Sequence, residues 1–328
     1  MIDRRKLLRA GACALALSTA VLALPVSAQH VWPERPIRII VPYAAGQGAD
    51  VLTRLIAQEL QVSLNQAIVV ENRAGAGGNI GTAAVAKSAS DGYTFLLGTN
   101  ATNAANEFLY SGLGFNPASD FEAVGMIGLL PMVIGSTLPG LQTNGVAELI
   151  AKAKAAPDSL NVGLPSTTAQ VVFAQFMKQA QAPLFGVKYK ASGQAMTDAL
   201  GGQIPLVIDT VTASRPHIAS GKLKALGITS LRASDMLPGV KPVSEQGVPG
   251  FDVVAWDAFF APKGTPIEII KKFSDHLERA LDNPETRRRM LEIGVEPLYM
   301  SPVKLAAFVK DERQKWGAVI QASGIKVD

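Results

Sequence analysis

The sequence predicts an α/β protein folded as two lobes, each a mixed sheet flanked by helices, with the chain crossing between them twice at a hinge. Short β-branched runs alternate with helix-like runs from Ile37 onward. The alternation is interrupted by Phe121–Ser136 (FEAVGMIGLLPMVIGS), an apolar stretch too long for an ordinary strand and broken by Gly and Pro, and it then resumes. Such a stretch suits a strand that leaves one lobe and enters the other.

In chain order, strands are expected at Ile37–Tyr43, Ala67–Val70 and Tyr93–Leu97, with helices at Asp50–Ser63 and Ile80–Ser88. Asp50 is placed to cap the first helix. After the long strand come helix Gly145–Ala155, strand Leu160–Leu164, helix Ala169–Gln181, strand Val187–Lys190, helix Gln194–Leu200, strand Pro205–Asp209, helix Arg215–Ser220 and strand Ala225–Thr229. The Pro- and Gly-rich LPGVKPVSEQGVPGF (Leu237–Phe251) reads as a surface connection that returns the chain to the first lobe. A strand at Val253–Phe260 follows, then helices and a strand near Val295–Tyr299. Helix Pro266–Leu281 carries Ile269, Ile270, Phe273, Leu277 and Leu281 on one side, and a final helix runs from Pro302 to Ala322. The expected division is residues 29–130 with 254–328 in lobe 1 and 131–253 in lobe 2.

Residues 1–28 are set apart as a secretory signal peptide. Asp3–Arg9 is a basic head, Ala10–Leu24 an apolar run shorter than the roughly 20 residues of a membrane span, and Val26-Ser27-Ala28 a small-residue cleavage site before Gln29. Arg4-Arg5 leaves Sec and twin-arginine export both open. The single cysteine, Cys13, leaves with this segment, so the mature chain has no disulfide and no thiolate ligand. Removal also takes four basic residues and one acidic one, and the formal charge falls from +4 to +1. Nothing in that balance points to nucleic acid. About 300 remaining residues, in a sequence that is 48% hydrophobic, bury a large core.

The catalytic inventory is thin. His30 lies beside the new terminus, and His217 and His276 read as surface residues of helices. No G-x-S-x-G elbow and no metal-ligand spacing of His, Asp or Glu is present, so neither a hydrolase nor a metalloenzyme is supported, and no cofactor is expected. The glycines of ENRAGAGGNIGT (Glu71–Thr82) raise the question of a dinucleotide. Their spacing puts Ile80 where the third glycine of G-x-G-x-x-G belongs, and the next strand ends LLGTN without a ribose-binding carboxylate.

Binding chemistry gathers instead in three loops that follow strands and precede helices: VPYAAGQGAD (Val41–Asp50), LLGTNATNAAN (Leu96–Asn106) and VGLPSTTAQ (Val162–Gln170). Their amides and hydroxyls can converge on one anion, with helix N-termini supplying partial positive charge in place of Lys or Arg.

PIRIIVPYAAGQGAD, VVENRAGAGGNIGTAAVAKSASDGYTFLLGTN, YKASGQAMTDALGGQIPLVID, GKLKALGIT and PVSEQGVPGF, in this order, resemble the exported substrate-binding proteins of tripartite tricarboxylate transporters, the Bug family. The resemblance implies a two-lobed, type II-like periplasmic binding protein, a monomer without enzymatic activity, that closes on a small organic acid and delivers it to membrane permease subunits. By matching position it implies ligand contacts from Tyr43, Gly46, Gly48 and Asp50, from Thr99, Asn100 and Thr102, from Ser166, Thr167 and Thr168, and from Tyr189 and Asp209. Gln47 and Pro165 join this set from the same loops, where the chain departs from the family pattern. Other departures are Ala44, Ala45, Leu164, Ser166, Thr168, Val172 and Ala191; Leu164 and Tyr43 are placed to line one side for an aliphatic or aromatic body. A ligand-sensing partner of a membrane sensor kinase and a nucleotide-dependent enzyme are the alternatives weighed.

Overall fold

The computed structural model describes residues 32–137 and 141–324. The predicted signal segment, with Cys13, and His30 lie outside them.

β1 (Ile37–Val41) is followed by α1 (Gly48–Leu64), β2 (Ile68–Asn72), α2 (Asn79–Ala86) and β3 (Thr94–Thr99). β1 pairs in parallel with both β2 and β3, as strands joined through helices do. β4 (Phe121–Thr137) is the long strand foreseen at Phe121–Ser136. Then come α3 (Val146–Ala155), β5 (Asn161–Leu164), α4 (Thr167–Ala180), β6 (Phe185–Lys188), α5 (Ser192–Leu200), β7 (Leu206–Thr210), α6 (Val211–Ala219) and β8 (Leu223–Ile228). β9 (Val254–Pro262), α7 (Ile267–Asp282), α8 (Pro284–Glu292), β10 (Glu296–Met300) and α9 (Pro302–Ser323) complete the chain.

The strand order is β2-β1-β3-β9-β4-β7-β5-β6, with β8 and β10 also on β4. β4 is shared between two halves of this sheet. Its residues 121–131 pair antiparallel with β9, while 132–137 pair antiparallel with β7 and β8. Within each half the helix-connected strands run parallel, so the sheet is mixed, and the antiparallel pairs fall where β4 and β9 join the halves. Thr229, just past β8, sits where the chain turns back. Its N–H donates to the Met132 carbonyl, its hydroxyl accepts from the Met132 N–H, and its carbonyl accepts from Val253. The outgoing and returning segments are thereby stitched together at one level.

α7 buries the predicted stripe: Ile270, Phe273, Leu277 and Leu281 are buried and Ile269 is half-buried. Phe273 stacks on Phe95 of β3 at 4.2 Å between ring centroids. α9 is held by polar bonds as well as by Leu305, Trp316 and Ile320. Buried Glu312 accepts from the indole N–H of Trp256 on β9 at 2.9 Å and of Trp316 at 2.8 Å, and Arg313 forks onto Glu107 at 2.5 and 2.7 Å.

Two sequence expectations change in character. The stretch Leu237–Phe251 is more than a surface connection: Leu237, Val243, Val248 and Phe251 are buried, and Phe251 packs edge-on against Phe176 of α4. The amide of Gln246 binds Leu226, Lys241 and Val146 backbone, which satisfies a segment that has little regular structure of its own. The segment after β3, read as a loop, winds into a π-helical turn at Ala101–Ala105 and is buried throughout.

Candidate functional site

Four helices begin around one small cavity between the halves. Gln47, Gly48 and Ala49 bring the start of α1, Ser166 and Thr168 that of α4, Ser192 that of α5 and Thr210 that of α6. Tyr43, Thr99, Asn100, Leu130, Asp209, Ala255 and Asp257 complete the wall of this cavity, which measures about 60 Å³ and opens to the surface. This is the arrangement expected of α/β sheets, where ligands lie beyond the carboxyl ends of parallel strands. The wall contains no Lys, Arg or His, so its positive potential comes from helix N-termini alone. Among the described residues, no group of three or more His, Cys, Asp or Glu stands close enough to hold a metal ion.

Of the residues singled out from sequence, Tyr43, Gln47, Gly48, Thr99, Asn100, Ser166, Thr168 and Asp209 line this cavity. The Tyr43 hydroxyl meets the Thr99 Oγ1 at 2.7 Å, and burial holds the phenol well above its ordinary pKa, so it stays protonated. Asn100 Nδ2 donates to Thr168 Oγ1 at 2.9 Å, a bond from the β3 side to the start of α4. Ser166 caps α4 by accepting from Ala169 N–H, and Thr210 caps α6 by accepting from Ala213 N–H. Each cap leaves the hydroxyl proton free to donate to a guest.

Gly46, Asp50, Thr102, Pro165, Thr167 and Tyr189 stand behind or away from the wall. Asp50 is not the cap of α1, whose N-cap is Gln47; it lies in the first turn and reaches back to the Gly46 N–H at 2.9 Å. Gly46 can present that N–H because it adopts φ +82°, a left-handed value that glycine tolerates. Asp50 also takes Asn72 and Arg54. Burial alone pushes its carboxyl upward, but Arg54, Gly46 and Asn72 outweigh it and hold Asp50 below the usual range. Thr102 accepts from Thr99 N–H and donates to Asn103, which fixes the turn that carries Asn100. Pro165 and Thr167 are buried. The half-buried Tyr189 hydroxyl donates to Asp198 of α5 at 2.8 Å and lines a different pocket from the cavity. Leu164 is buried in the core and does not line the wall. Ala191, where a glycine is usual, has φ −158°, an extended value that alanine adopts without strain.

The glycine-rich stretch Glu71–Thr82 forms the turn between β2 and α2. Gly75, Gly77 and Gly78 take positive φ, and a Cβ on Gly81 would lie 2.7 Å from the Arg73 carbonyl. A Cβ on Gly77 would lie 2.8 Å from Thr167 Oγ1, so this turn packs against the start of α4 beside the cavity.

Sequence reasoning missed Ala49, Leu130, Ser192, Thr210, Ala255 and Asp257. A signal for Asp257 was there: it is the lone charge inside the apolar strand run VVAWDAFF (Val253–Phe260). Asp209 on β7 and Asp257 on β9 are both buried, and the Oδ2 atom of each lacks a hydrogen-bond partner. Burial pushes the Asp209 carboxyl up to about 6, against the Ser192 hydroxyl and the Thr210 N–H that bind its charged form. Burial alone pushes Asp257 up to about 8. Acids raised in this way stabilise the fold fully below the unfolded carboxylate pKa of about 4, and the benefit drains away as pH rises through their folded values. The urea midpoint of the wild type is therefore expected to fall between pH 5 and pH 8.5, and Asp257→Asn is expected to remove most of that slope. A slope unchanged in the variant would show that Asp257 does not carry the proton.

The sequence profile of the family described as "Tripartite tricarboxylate transporter family receptor" matches residues 52–325. Protein BugT of Bordetella pertussis is 38% identical over 314 residues, which span 95% of this chain and 96% of BugT. Among solved structures, R. palustris Rpa4515 with adipate superposes with a TM-score of 0.87 at 33% identity, covering 90% of this chain and 99% of that one. MatC (Rpa3494) from Rhodopseudomonas palustris with bound malate superposes at 0.81 and 30% identity, covering 88% of this chain and 100% of that one. Profile, relatives and fold agree over nearly the whole length, and the chain belongs to the tripartite tricarboxylate transporter receptor family of solute-binding proteins.

Proposed function

We propose that the chain captures a small carboxylate in the cavity between its halves and delivers it to the membrane permease subunits of a tripartite tricarboxylate-type transporter. In this reading it acts in the periplasm as a monomer, without catalysis, after removal of residues 1–28. The lobes are residues 29–130 with 254–328 and residues 131–253. The observation that carries the reading is the convergence of four helix N-termini on one cation-free cavity, a setting that favours an anion without a countercharge. The adipate and malate bound by the two solved relatives support the same ligand class.

The cavity, about 60 Å³, has room for only a few waters. An acid the size of adipate enters only if the halves part, with β4 and β9 as the hinge strands. Closing brings back the Asn100–Thr168 bond and packs Gly48 against Thr210.

Thermal unfolding with succinate, adipate, suberate, malate and benzoate tests the reading. A ligand present at a hundred times its Kd stabilises by about 2.7 kcal/mol, which corresponds to a Tm rise on the order of 4 °C for a chain of about 300 residues. A panel in which no acid moves Tm would count against carboxylate capture.

A further inference from the structure

The cavity that this reading assigns to an acid is itself walled by acids, and it has no basic residue to offset them. Asp257 comes from β9 and Asp209 from β7, on opposite sides of the shared strand β4, and each leaves a buried carboxyl oxygen without a partner. Two ionised carboxylates beside a bound carboxylate, away from water, would repel it strongly. A neutral carboxyl in the same place does the opposite and offers a hydrogen-bond donor.

We propose that Asp257 binds the ligand as the neutral acid, its carboxyl donating a hydrogen bond to a carboxylate oxygen of the guest, so that ligand capture depends on a proton held on Asp257. The inference rests on the carboxylate reading above and assigns Asp257 as a ligand-binding residue.

The proton belongs on Asp257 because the surroundings of the two acids differ. Asp209 Oδ1 accepts from the Thr210 N–H at 2.8 Å, and the Ser192 hydroxyl also binds its charged form. Nothing comparable stabilises a charge on Asp257, whose carboxyl is shifted by burial alone. Its register neighbours are Thr99 on β3 and Gly128 on β4, both neutral. The loop after β1 presents the Tyr43 phenol, which burial keeps protonated and neutral. α1 carries Asp50, which is engaged by Arg54, and Glu59, which meets Arg289, and both lie outside the wall. The starts of α4, α5 and α6 present Ser166, Thr168, Ser192 and Thr210, all neutral. The helix ends therefore stabilise the charge of the guest, and the neutral acid supplies a donor to it.

Calorimetric titration of the mature protein with succinate, adipate and malate, at pH 6 to 9 and in two buffers of different ionisation heat, tests this. Affinity is expected to fall about tenfold between pH 7 and pH 9, with net proton uptake on binding above pH 8. In Asp257→Asn the amide still donates but cannot titrate, so binding should persist with a flat profile over the same range. An unchanged wild-type affinity from pH 7 to 9, or a variant that keeps the slope, overturns the inference. If none of these acids binds at any pH, the carboxylate reading fails on its own account. The ¹³C carboxyl resonance of Asp257 in the free protein then decides where the proton resides: a neutral signal at pH 7 supports the inference, and an ionised one overturns it.

Discussion

Gly48→Val is expected to weaken acid binding about a hundredfold, or ~2.7 kcal/mol, while leaving the unliganded protein folded. Gly48 is the first residue of α1, and a Cβ there would lie 3.2 Å from Thr210 Oγ1, 3.3 Å from Leu130 Cδ2 and 3.4 Å from Thr212 Cβ. Those atoms belong to the end of β7, to α6 and to the crossing strand β4, so the added volume falls between surfaces that must meet when the halves close. Alanine fills only the space of that Cβ and is expected to cost a few-fold. Valine adds two methyl groups beyond a Cβ that is already tight, and the first helical position tolerates it in an open protein. Isothermal titration of wild type and both variants with the tightest-binding acid of the panel checks the order. A valine variant that binds like the wild type would mean that capture does not require this close approach.

The second large effect concerns stability. Glu312→Ala should destabilise the protein by roughly 3 kcal/mol and lower Tm by roughly 5 °C, because it strands the buried indole N–H groups of Trp256 and Trp316 and removes the tie between α9 and β9. Glu312→Gln keeps an acceptor oxygen and should recover about half of the loss. Lys315 approaches the same carboxylate at 3.4 Å but is half exposed, so its removal should cost well under 1 kcal/mol. Differential scanning calorimetry of the three variants separates these cases. A lysine variant as damaged as the alanine one would mean that the ion pair, not the indole bonds, holds the helix.

Periodicity found the elements wherever burial and local preference agree. α7 shows its stripe in sequence because one face packs on β3 and β4 while the other meets water. β4 announces its length because nearly every residue past Ala123 is buried by partners on both edges. The reading was weaker where contacts distant in sequence decide the outcome. The turn after β3 is polar enough to pass for a loop, yet it is buried against α9, and Asn106 binds the Gly77 carbonyl and Asn79 rather than water. Leu237–Phe251 looks like a linker because Pro and Gly dominate it, while its four buried apolar side chains find their sites only in the assembled core.

The site divides in the same way. From sequence alone came the α/β class, the three strand-to-helix loops and the absence of a dinucleotide fingerprint, because glycine spacing, hydroxyl clusters and strand–helix alternation are local properties of the chain, while the kind of protein came from its resemblance to a family. Tertiary structure decided which of those residues share a cavity. It tied Tyr189 to Asp198, made Asp50 a brace for the Gly46 turn and brought Asp257 into one wall with Asp209 from a strand more than forty residues away. Helix starts from separate stretches of the chain become one binding site only when β4 and β9 carry the two halves together, and the cost of burying charge then determines which groups face the guest.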